Sequence, residues 1–524
     1  MACWMRGLKA ADRVTIGHAE VLDDSHEDLG TRPLKRGRQV DEYLSDGTDA
    51  WWEPRFVMHG FRYAKITGIA DLTADDIVCT VYHSVMRRTG WFETSNALVN
   101  RLHENTLWSM RSNFMSIPTD CPQRDERVGW TADIAVFSPT ALYLYDVSTF
   151  LANWLEDVSF EQEKNGTVPF YIPYVKLGIW ADPAAIGVWG DAAVLVPWAV
   201  YMATGDRGVL EANYQLATRW VDEVNGYLSP DGVWDRRPDY PIGQLGDWLD
   251  PMAPPDSPDQ AMTAKELVVT AFHVHSLRLV AKMAGILGHA DDETEYLHRA
   301  EHVAEGFRAR FIGADGLMSS DTQCAYMLAI MFDLVDASTR DRFGERLVQL
   351  VRQADGKIGT GFAGTPYILP ALTATGHYDE AYGLFMSTKC PSWLYAVTMG
   401  ATTTWERWDS MLPDGRMNPG SMTSFNHYAL GSVNDWAHAV IGGLAPLEPA
   451  WRTILVAPHP GGGLTHASSK HETPYGEASC AWTVEDGVMT VDITVPHGTT
   501  AVVRLLGDEE RKLDGGEYRL SVTL

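Results

Sequence analysis

Cysteine is scarce in this chain and positive charge is in deficit. Six cysteines (Cys3, Cys79, Cys121, Cys324, Cys390, Cys480) are spread through 524 residues with no Cys-x-x-Cys pair. That spacing excludes a disulfide framework and predicts free, buried thiols in a reducing compartment. Against 69 Asp and Glu stand only 42 Lys and Arg, a formal charge of −27 at pH 7. Nucleic acid and anionic membrane surfaces repel a chain of that sign, so neither is expected as a partner. No run of eighteen apolar residues occurs, and Met1-Ala2-Cys3-Trp4-Met5-Arg6-Gly7 has no apolar core of signal-peptide length. The expectation is a soluble cytoplasmic protein, in which the Asn165-Gly166-Thr167 sequon has no secretory route to serve it.

Several catalytic and cofactor motifs are missing too. His-Glu-x-x-His does not occur, and His273 and His275 are two apart on an expected helix, so they point to different faces and no metal is expected. There is no Gly-x-Ser-x-Gly nucleophile elbow. Residues 359–364 satisfy the Gly-x-Gly-x-x-Gly spacing but follow a helical stretch rather than a strand, and the glycines at 461–463 precede neither Lys-Ser/Thr nor a helix. Neither reads as a nucleotide loop, and no cofactor is expected.

What is present is a globular composition, 45% apolar and 10% aromatic, long enough for two to four domains with one of them large. The first eighty-odd residues read as β: residues 14–16, 19–22 and 55–66 are short apolar or alternating runs broken by Gly and Asp. The first strand is expected only after a dozen residues. The Lys35-Arg36-Gly37-Arg38 cluster reads as a solvated basic turn. From about residue 95 to 440 the pattern is helix after helix. Ser95 is expected to cap the first, a segment after Asp146 is expected to be capped by it, and further helices are expected over 132–143, 191–204, 207–227, 264–287, 291–311, 322–334, 338–352, 366–375, 378–387 and 425–444. Short connections make neighbours antiparallel hairpins, and six such hairpins close into an α/α toroid. After about residue 446 the chain returns to β over 451–456, 479–484 and 489–495, with Asp486-Gly487 as a hairpin turn and Met489, Val491, Ile493 and Val495 on one face.

The loops between helices carry the candidate chemistry. Residues 120–133 hold four carboxylates (Asp120, Asp125, Glu126, Asp133), two guanidinium groups (Arg124, Arg127) and Trp130. Like charges held close push one another's pKa values apart, so one carboxyl can stay protonated at neutral pH, as a general acid must. Three more loops combine Trp with carboxylates: Val188-Trp189-Gly190-Asp191, Leu245-Gly246-Asp247-Trp248-Leu249-Asp250, and residues 400–409 with Trp405, Glu406, Arg407, Trp408 and Asp409. A lone Trp is usually core. Indoles beside acids and glycines in helix-connecting loops instead suit carbohydrate, whose C–H faces stack on rings while its hydroxyls meet charged groups.

Residues 112–133, from Ser112-Asn113-Phe114 through Pro118-Thr119-Asp120 to Asp133, resemble the signature of glycoside hydrolase family 78, the bacterial α-L-rhamnosidases. Trp189-Gly190-Asp191, Gly246-Asp247-Trp248, residues 361–366, residues 400–408 and residues 424–429 resemble further motifs of that family in the family's order, and the likeness runs from about residue 14 to 503. The resemblance implies a mainly α chain: an (α/α)6 barrel over residues 89–444, between a β-sandwich over 1–88 and a second over 445–524. It implies that the first sandwich is incomplete, since family members usually carry further β-sandwich domains ahead of it. It implies inverting hydrolysis of terminal α-L-rhamnosyl groups, with Glu126 as general acid and Glu406 as general base. It also implies that Asp120, Arg124, Asp133 and His427 hold sugar hydroxyls and that Trp130, Trp189 and Trp248 wall the sugar. The residues support the division of roles independently, because Glu126 lies among carboxylates and Glu406 is followed by Arg407. The expected partner is a small rhamnoside or oligosaccharide, with a homodimer left open. Another inverting (α/α)6 glycosidase and a catalytically silent carbohydrate-binding protein remain open at this point.

Overall fold

Two small antiparallel sheets begin the chain in a computed structural model that describes residues 1–176, 182–235 and 243–524. Ala2–Met5 lies between Ala50–Trp52 and Ile77–Val78, and Arg13–Ala19 lies between Val40–Leu44 and Tyr63–Thr67. Alternation turns Cys3, Met5, Val14 and Ile16 inward, where they form a small core with Tyr43, Trp52 and Ile66. The first strand thus begins at Ala2 rather than at residue 14, carried by a Cys/Met alternation that is not a strong strand signal. Only Tyr63–Thr67 of residues 55–66 is strand; Phe56 turns to φ 58° and Gly60 is pressed against the Pro122 ring, so the run is spent crossing toward the loop at 120–133. Cys79 is exposed rather than buried, and Cys390 is half-buried.

Thirteen α-helices follow among the described residues: α1 (Ala97–Asn113), α2 (Thr131–Leu144), α3 (Ser148–Asn165), α4 (Ala192–Thr204), α5 (Arg207–Asn225), α6 (Lys265–Leu287), α7 (Ala290–Phe311), α8 (Gln323–Met331), α9 (Ala337–Gln353), α10 (Thr365–Ala374), α11 (Tyr378–Phe385), α12 (Trp393–Thr398) and α13 (Val433–Trp436). Asn96, not Ser95, caps α1: its Oδ1 accepts from Leu98 N at 2.9 Å and Val99 N at 3.3 Å, while Ser95 Oγ accepts from Thr465 N. Val147 precedes α3; Asp146 is held in a short bridge with Arg87–Arg88 and accepts from Ser148 Oγ instead of capping. The helix expected over 425–444 is broken into a 3-10 turn (Ala429–Ser432), α13 and a π turn (Ala437–Ile441), because residues 424–428 are drawn into the cleft described below. The short α12 carries too few periodic positions to be seen in sequence.

Consecutive helices pack as pairs, α4 with α5, α6 with α7, α8 with α9 and α10 with α11. The first members of those four pairs, together with α2 and α13, also pack on one another in a closed circuit: α2 on α4, α4 on α6, α6 on α8, α8 on α10, α10 on α13, and α13 back on α2. Of these, α2, α4, α6, α8 and α10 are apolar on most faces, as members of a ring buried on both sides must be. Among the described residues one helix, α6, is long and apolar enough to cross a membrane, but 83% of its apolar window is buried inside this bundle.

The last strands form a seven-stranded sheet. Its edge is Gly90–Thr94, from just before α1, which pairs antiparallel with His466–Thr473; Gly476–Glu485 and Val488–Val503 follow, and Thr453–Val456 pairs parallel to residues 500–503. Residues 90–94, which the sequence assigns with the helices, therefore belong by hydrogen bonding to the C-terminal strands. Asp486 and Gly487 take φ 49° and 76°, the left-handed pair that a two-residue hairpin requires. Met489, Val491, Ile493 and Val495 are buried on one face, and the sheet extends beyond the sequence expectation with Arg511–Thr523.

Candidate active site

The loop over residues 120–130 is anchored at both ends. Phe114–Met115 and Ile117–Pro118 form a tight bridge ahead of it, with Ser116 at φ 65°. Gly129–Trp130 pairs with Tyr171–Ile172 behind it, where a Cβ at 129 would collide with Ile172 O. α2 then starts at Thr131, whose N donates to Phe170 O, and its first turn carries Asp133. Four acidic or basic side chains are thereby aimed at one point from a short, doubly pinned stretch.

Arg124 is the centre of that point, with a side chain 1% exposed. Its guanidinium meets Glu406 as a fork, Nη1 to Oε2 at 2.9 Å and Nη2 to Oε1 at 3.0 Å. Nη2 also stands 3.2 Å from Glu126 Oε2 and 3.5 Å from Asp120 Oδ2. Ser424 N donates to Glu406 Oε2 at 2.8 Å, and Glu406 N donates back to Ser424 O. Burial alone would raise the Glu406 carboxyl; Arg124, with His427 and Lys35 further off, holds it down at about 2. Arg407, the partner suggested by adjacency, turns away to Asp409 at 2.6 Å.

The other acids behave differently. Asp120 is pushed up to about 8, first by burial and then by Glu126 and Glu406, against the pull of Arg124. Asp133 is raised well above its ordinary value by burial and by Asp120. Burial, with Arg124 adding, lowers His427 to about 4, and its Nε2 stands 3.1 Å from Asp133 Oδ1. Glu126 is flanked not only by carboxylates, as the sequence suggests, but by two cations, Arg124 and Lys35. Lys35 comes from the basic turn read as solvated; Arg36 beside it pairs with Asp125 at 3.0 Å. Adjacency in sequence gives no sign of this, since the two segments are some ninety residues apart.

The nine residues expected to act on or hold the sugar (Asp120, Arg124, Glu126, Trp130, Asp133, Trp189, Trp248, Glu406 and His427) line one cleft. Trp189 and Trp248 meet edge to face, ring centres 6.3 Å apart. Trp130 lies edge to face on Tyr171 at 4.9 Å. Leu245, Phe362 and Met422 complete the lining and were not singled out, although Leu245 and Phe362 sit inside the quoted motifs. Asp120 Oδ1, Trp189 Nε1 and His427 Nδ1 are buried without a hydrogen-bond partner, an arrangement that invites hydroxyl groups of a ligand.

Asp191, Asp247 and Asp250 in the tryptophan loops do not line the cleft; they build it. Asp191 accepts from Val188 N, Trp220 Nε1 and Ser276 Oγ, fixing the turn that presents Trp189. Asp247 accepts from Gly361 N and Gly364 N, both at 2.8 Å, which ties the Phe362 loop beneath Trp248. The glycine at 361 is required by that approach, since a Cβ there would strike the carbonyls of Asp247 and Trp248. Asp250 accepts from Met252 N and Met262 N. Trp405 and Trp408, grouped by sequence with the binding indoles, are core: Trp405 packs with Tyr395 and Phe425, and Trp408 Nε1 donates to Thr360 O. Among the described residues one cluster, His18, Asp41 and His59, combines metal-donor types. Its two imidazoles are stacked with centres 4.3 Å and planes 24° apart, so a single ion cannot lie along both ring planes, and His59 Nε2 is already engaged by Asp41 at 2.9 Å.

Three family models match consecutive stretches of the chain: the bacterial alpha-L-rhamnosidase concanavalin-like domain over residues 4–83, the bacterial alpha-L-rhamnosidase 6 hairpin glycosidase domain over 87–441, and the bacterial alpha-L-rhamnosidase C-terminal domain over 443–519. A protein of Formosa agariphila named alpha-L-rhamnosidase is 35% identical over 517 residues, 97% of this chain and 54% of its own length. One of Streptomyces avermitilis with the same name is 38% identical over 506 residues, 95% of this chain and 46% of its own. Among solved structures, the native α-L-rhamnosidase of Aspergillus terreus superposes with a TM-score of 0.95 at 42% identity, covering 99% of this chain and 60% of that one. The Streptomyces avermitilis α-L-rhamnosidase complexed with L-rhamnose superposes with a TM-score of 0.91 at 35% identity, covering 100% of this chain and 50% of that one. The chain spans about half the length of the curated relatives it matches.

Proposed function

The chain belongs to the bacterial α-L-rhamnosidase family, and on that premise we propose that it hydrolyses terminal α-L-rhamnosyl groups with inversion, Glu126 acting as general acid and Glu406 as general base. The observation that carries the reading is the Arg124 fork, which keeps a buried glutamate ionised at about 2 and joins it to a second glutamate through one guanidinium. In the step itself Glu126 gives its proton to the glycosidic oxygen as the bond to the anomeric carbon breaks. Glu406 takes a proton from a water attacking that carbon from the opposite face, leaving a sugar of inverted configuration and a free alcohol. Solvent then returns a proton to Glu126 and removes one from Glu406.

The facing oxygens, Glu406 Oε1 and Glu126 Oε2, lie 3.0 and 3.2 Å from the same Nη2, so they stand no further apart than those two contacts end to end. Inverting pairs usually leave roughly 6.5 to 9.5 Å between carboxyls for the water. The bound applies to the nearest oxygens, and the carboxyl carbons behind them can stand further apart, within reach of that spacing. Asp120, held largely neutral near pH 7 by its raised pKa, donates to a sugar hydroxyl, with Asp133, Arg124 and His427 beside it. Trp130, Trp189 and Trp248 offer faces and edges to the C–H side of the ring and to the methyl group that distinguishes rhamnose. The closed circuit of six mutually packed helices supports reading residues 89–444 as an (α/α)6 barrel between β-sandwich regions at 1–88 and 445–524.

The test is turnover of p-nitrophenyl α-L-rhamnoside, with proton NMR of the first-formed sugar. Release of the β anomer first, and loss of turnover in Glu126→Gln and Glu406→Gln, are expected. Initial α anomer removes the inverting assignment, and full activity in either variant removes that residue's role. Glu126→Gln should also recover part of its rate on an aryl rhamnoside with a more acidic phenol, which needs less protonation to leave.

A further inference from the structure

A ring of hydrogen bonds runs from the first β region into the cleft. Glu20 lies just past the strand Arg13–Ala19 and is 6% exposed. Its Oε2 accepts from Gln123 Nε2 at 2.8 Å and from Phe425 N at 3.1 Å. Gln123 is the residue before Arg124, and Phe425 is the residue after Ser424, whose N donates to Glu406 Oε2. The Arg124–Glu406 fork closes the ring, and Gln123 Nε2 spans it by a second contact to Ser424 Oγ at 2.9 Å. Three segments remote in sequence are thus fastened on either side of the fork, and both fastenings end on one oxygen of Glu20. That oxygen is outside the cleft lining, so Glu20 has no contact of its own to make with a sugar there.

We infer that Glu20 is a positioning residue for the proposed hydrolysis: by gripping Gln123 and Phe425 it sets the register in which the Arg124 fork meets Glu406, and so the aim of the base at its water. The inference rests on the reading of Glu406 as that base. The charge balance agrees with the geometry. Burial pushes the Glu20 carboxyl up to about 8, Glu406 adds to the rise, and the Phe425 N–H, Arg124 and Ser424 oppose it. Held neutral, Glu20 leaves the Arg124 charge to Glu406; ionised, it would compete for the same guanidinium. Its Oε1 is buried with no hydrogen-bond partner, a cost that a purely structural carboxyl would be expected to avoid.

Glu20→Ala and Glu20→Gln, compared with wild type on p-nitrophenyl α-L-rhamnoside with thermal unfolding in parallel, test this. Glutamine keeps an acceptor oxygen where Oε2 stands; alanine keeps nothing. Misaim of a catalytic group by about 1 Å costs up to about a hundredfold, so Glu20→Ala should lose about tenfold to a hundredfold in kcat with KM within about threefold, and Glu20→Gln should recover most of the rate. A lowered Tm with unchanged kcat in Glu20→Ala overturns the inference, as does a Glu20→Gln no faster than the alanine variant. Should Glu20→Ala not fold, Glu20→Asp carries the same test, because shortening the side chain retains the carboxyl but releases one of its two grips; unchanged kcat there overturns the inference. A wild type that turns over no rhamnoside removes the functional reading instead. The positioning is then decided by a crystal structure of the alanine or aspartate variant, in which a displaced Arg124–Glu406 fork supports the inference and an undisturbed one overturns it.

Discussion

Replacing Arg124 by Met takes away the charge on which the candidate base depends while keeping most of the side-chain volume. Glu406 is 3% exposed, and its carboxyl sits at about 2 against an ordinary 4.5 only because the guanidinium outweighs burial. At 1.36 kcal/mol per pKa unit, the preference for the ionised form is on the order of 3 kcal/mol. Removing one partner of a buried pair costs about 3 to 5 kcal/mol, and here Glu126 and Asp120 lose the same partner. Because the folded pKa of Glu406 lies below its unfolded value, its contribution to stability is present above about pH 4.5 and is lost as pH falls through about 2. In the Met variant burial is opposed only by the more distant His427 and Lys35, so the carboxyl rises and the base is increasingly protonated toward acid pH. Two measurements follow: kcat/KM for p-nitrophenyl α-L-rhamnoside from about pH 4 to 9, and denaturant unfolding at pH 7. The wild-type rate should hold on the acid side, where the variant falls, and the variant should lose about 3 kcal/mol or more of stability. Arg124→Lys, which restores charge without the fork, should recover only part of either. An acid limb shared by wild type and Met variant would refute the argument that Arg124 ionises the base.

Gly190→Ala should damage the site without touching it. A Cβ at 190 would enter the fully buried Trp220 ring, an overpacking worth about 1 to 3 kcal/mol, and would shift the turn that presents Trp189, so a lower Tm is expected together with a raised KM; neither changing would remove the role given to that turn. The pH dependence of stability should run opposite to that of Glu406 for two other acids. Glu20 and Asp120 are both raised to about 8, so the folded protein keeps protons that the unfolded chain releases from about pH 4 upward, and their contribution is present at acid pH and lost as pH rises toward 8. Urea unfolding between pH 5 and 9 should show that decline, and Glu20→Gln should flatten it; an unchanged slope in the variant would contradict the shift assigned to Glu20.

The loop at 120–133 was legible because its charge density is local. The partnership of Glu126 with Glu406 was legible only through family motifs, and the cation on Glu406 was misread: Arg407 is its neighbour in sequence, yet Arg124, some 280 residues away, is its partner in space. Lys35 and Glu20 escaped for the same reason, since a side chain from the first β region looks like ordinary surface or strand until the fold lays it against Glu126 or Gln123. The long helices were visible from their apolar faces. α12 was too short, residues 425–428 are loop while 429–441 divide into 3-10, α and π turns, and the strand Gly90–Thr94 has its partner only at 466–473, a pairing no local pattern can announce. Phe362 and Met422 likewise reach the cleft by topology rather than by any periodicity.

That pairing of residues 90–94 with 466–473 fixes an order of events. The strand just ahead of the helical circuit has no strand partner until nearly four hundred further residues exist to meet it. Synthesis from the N-terminus delivers residues 120–133 early, Glu406 and His427 late, and the clasp last of all. A chain interrupted after residue 444 would hold every cleft residue and still leave that strand as a bare sheet edge, open to pairing with another copy. The C-terminal strands are in that sense the latch of the helical ring.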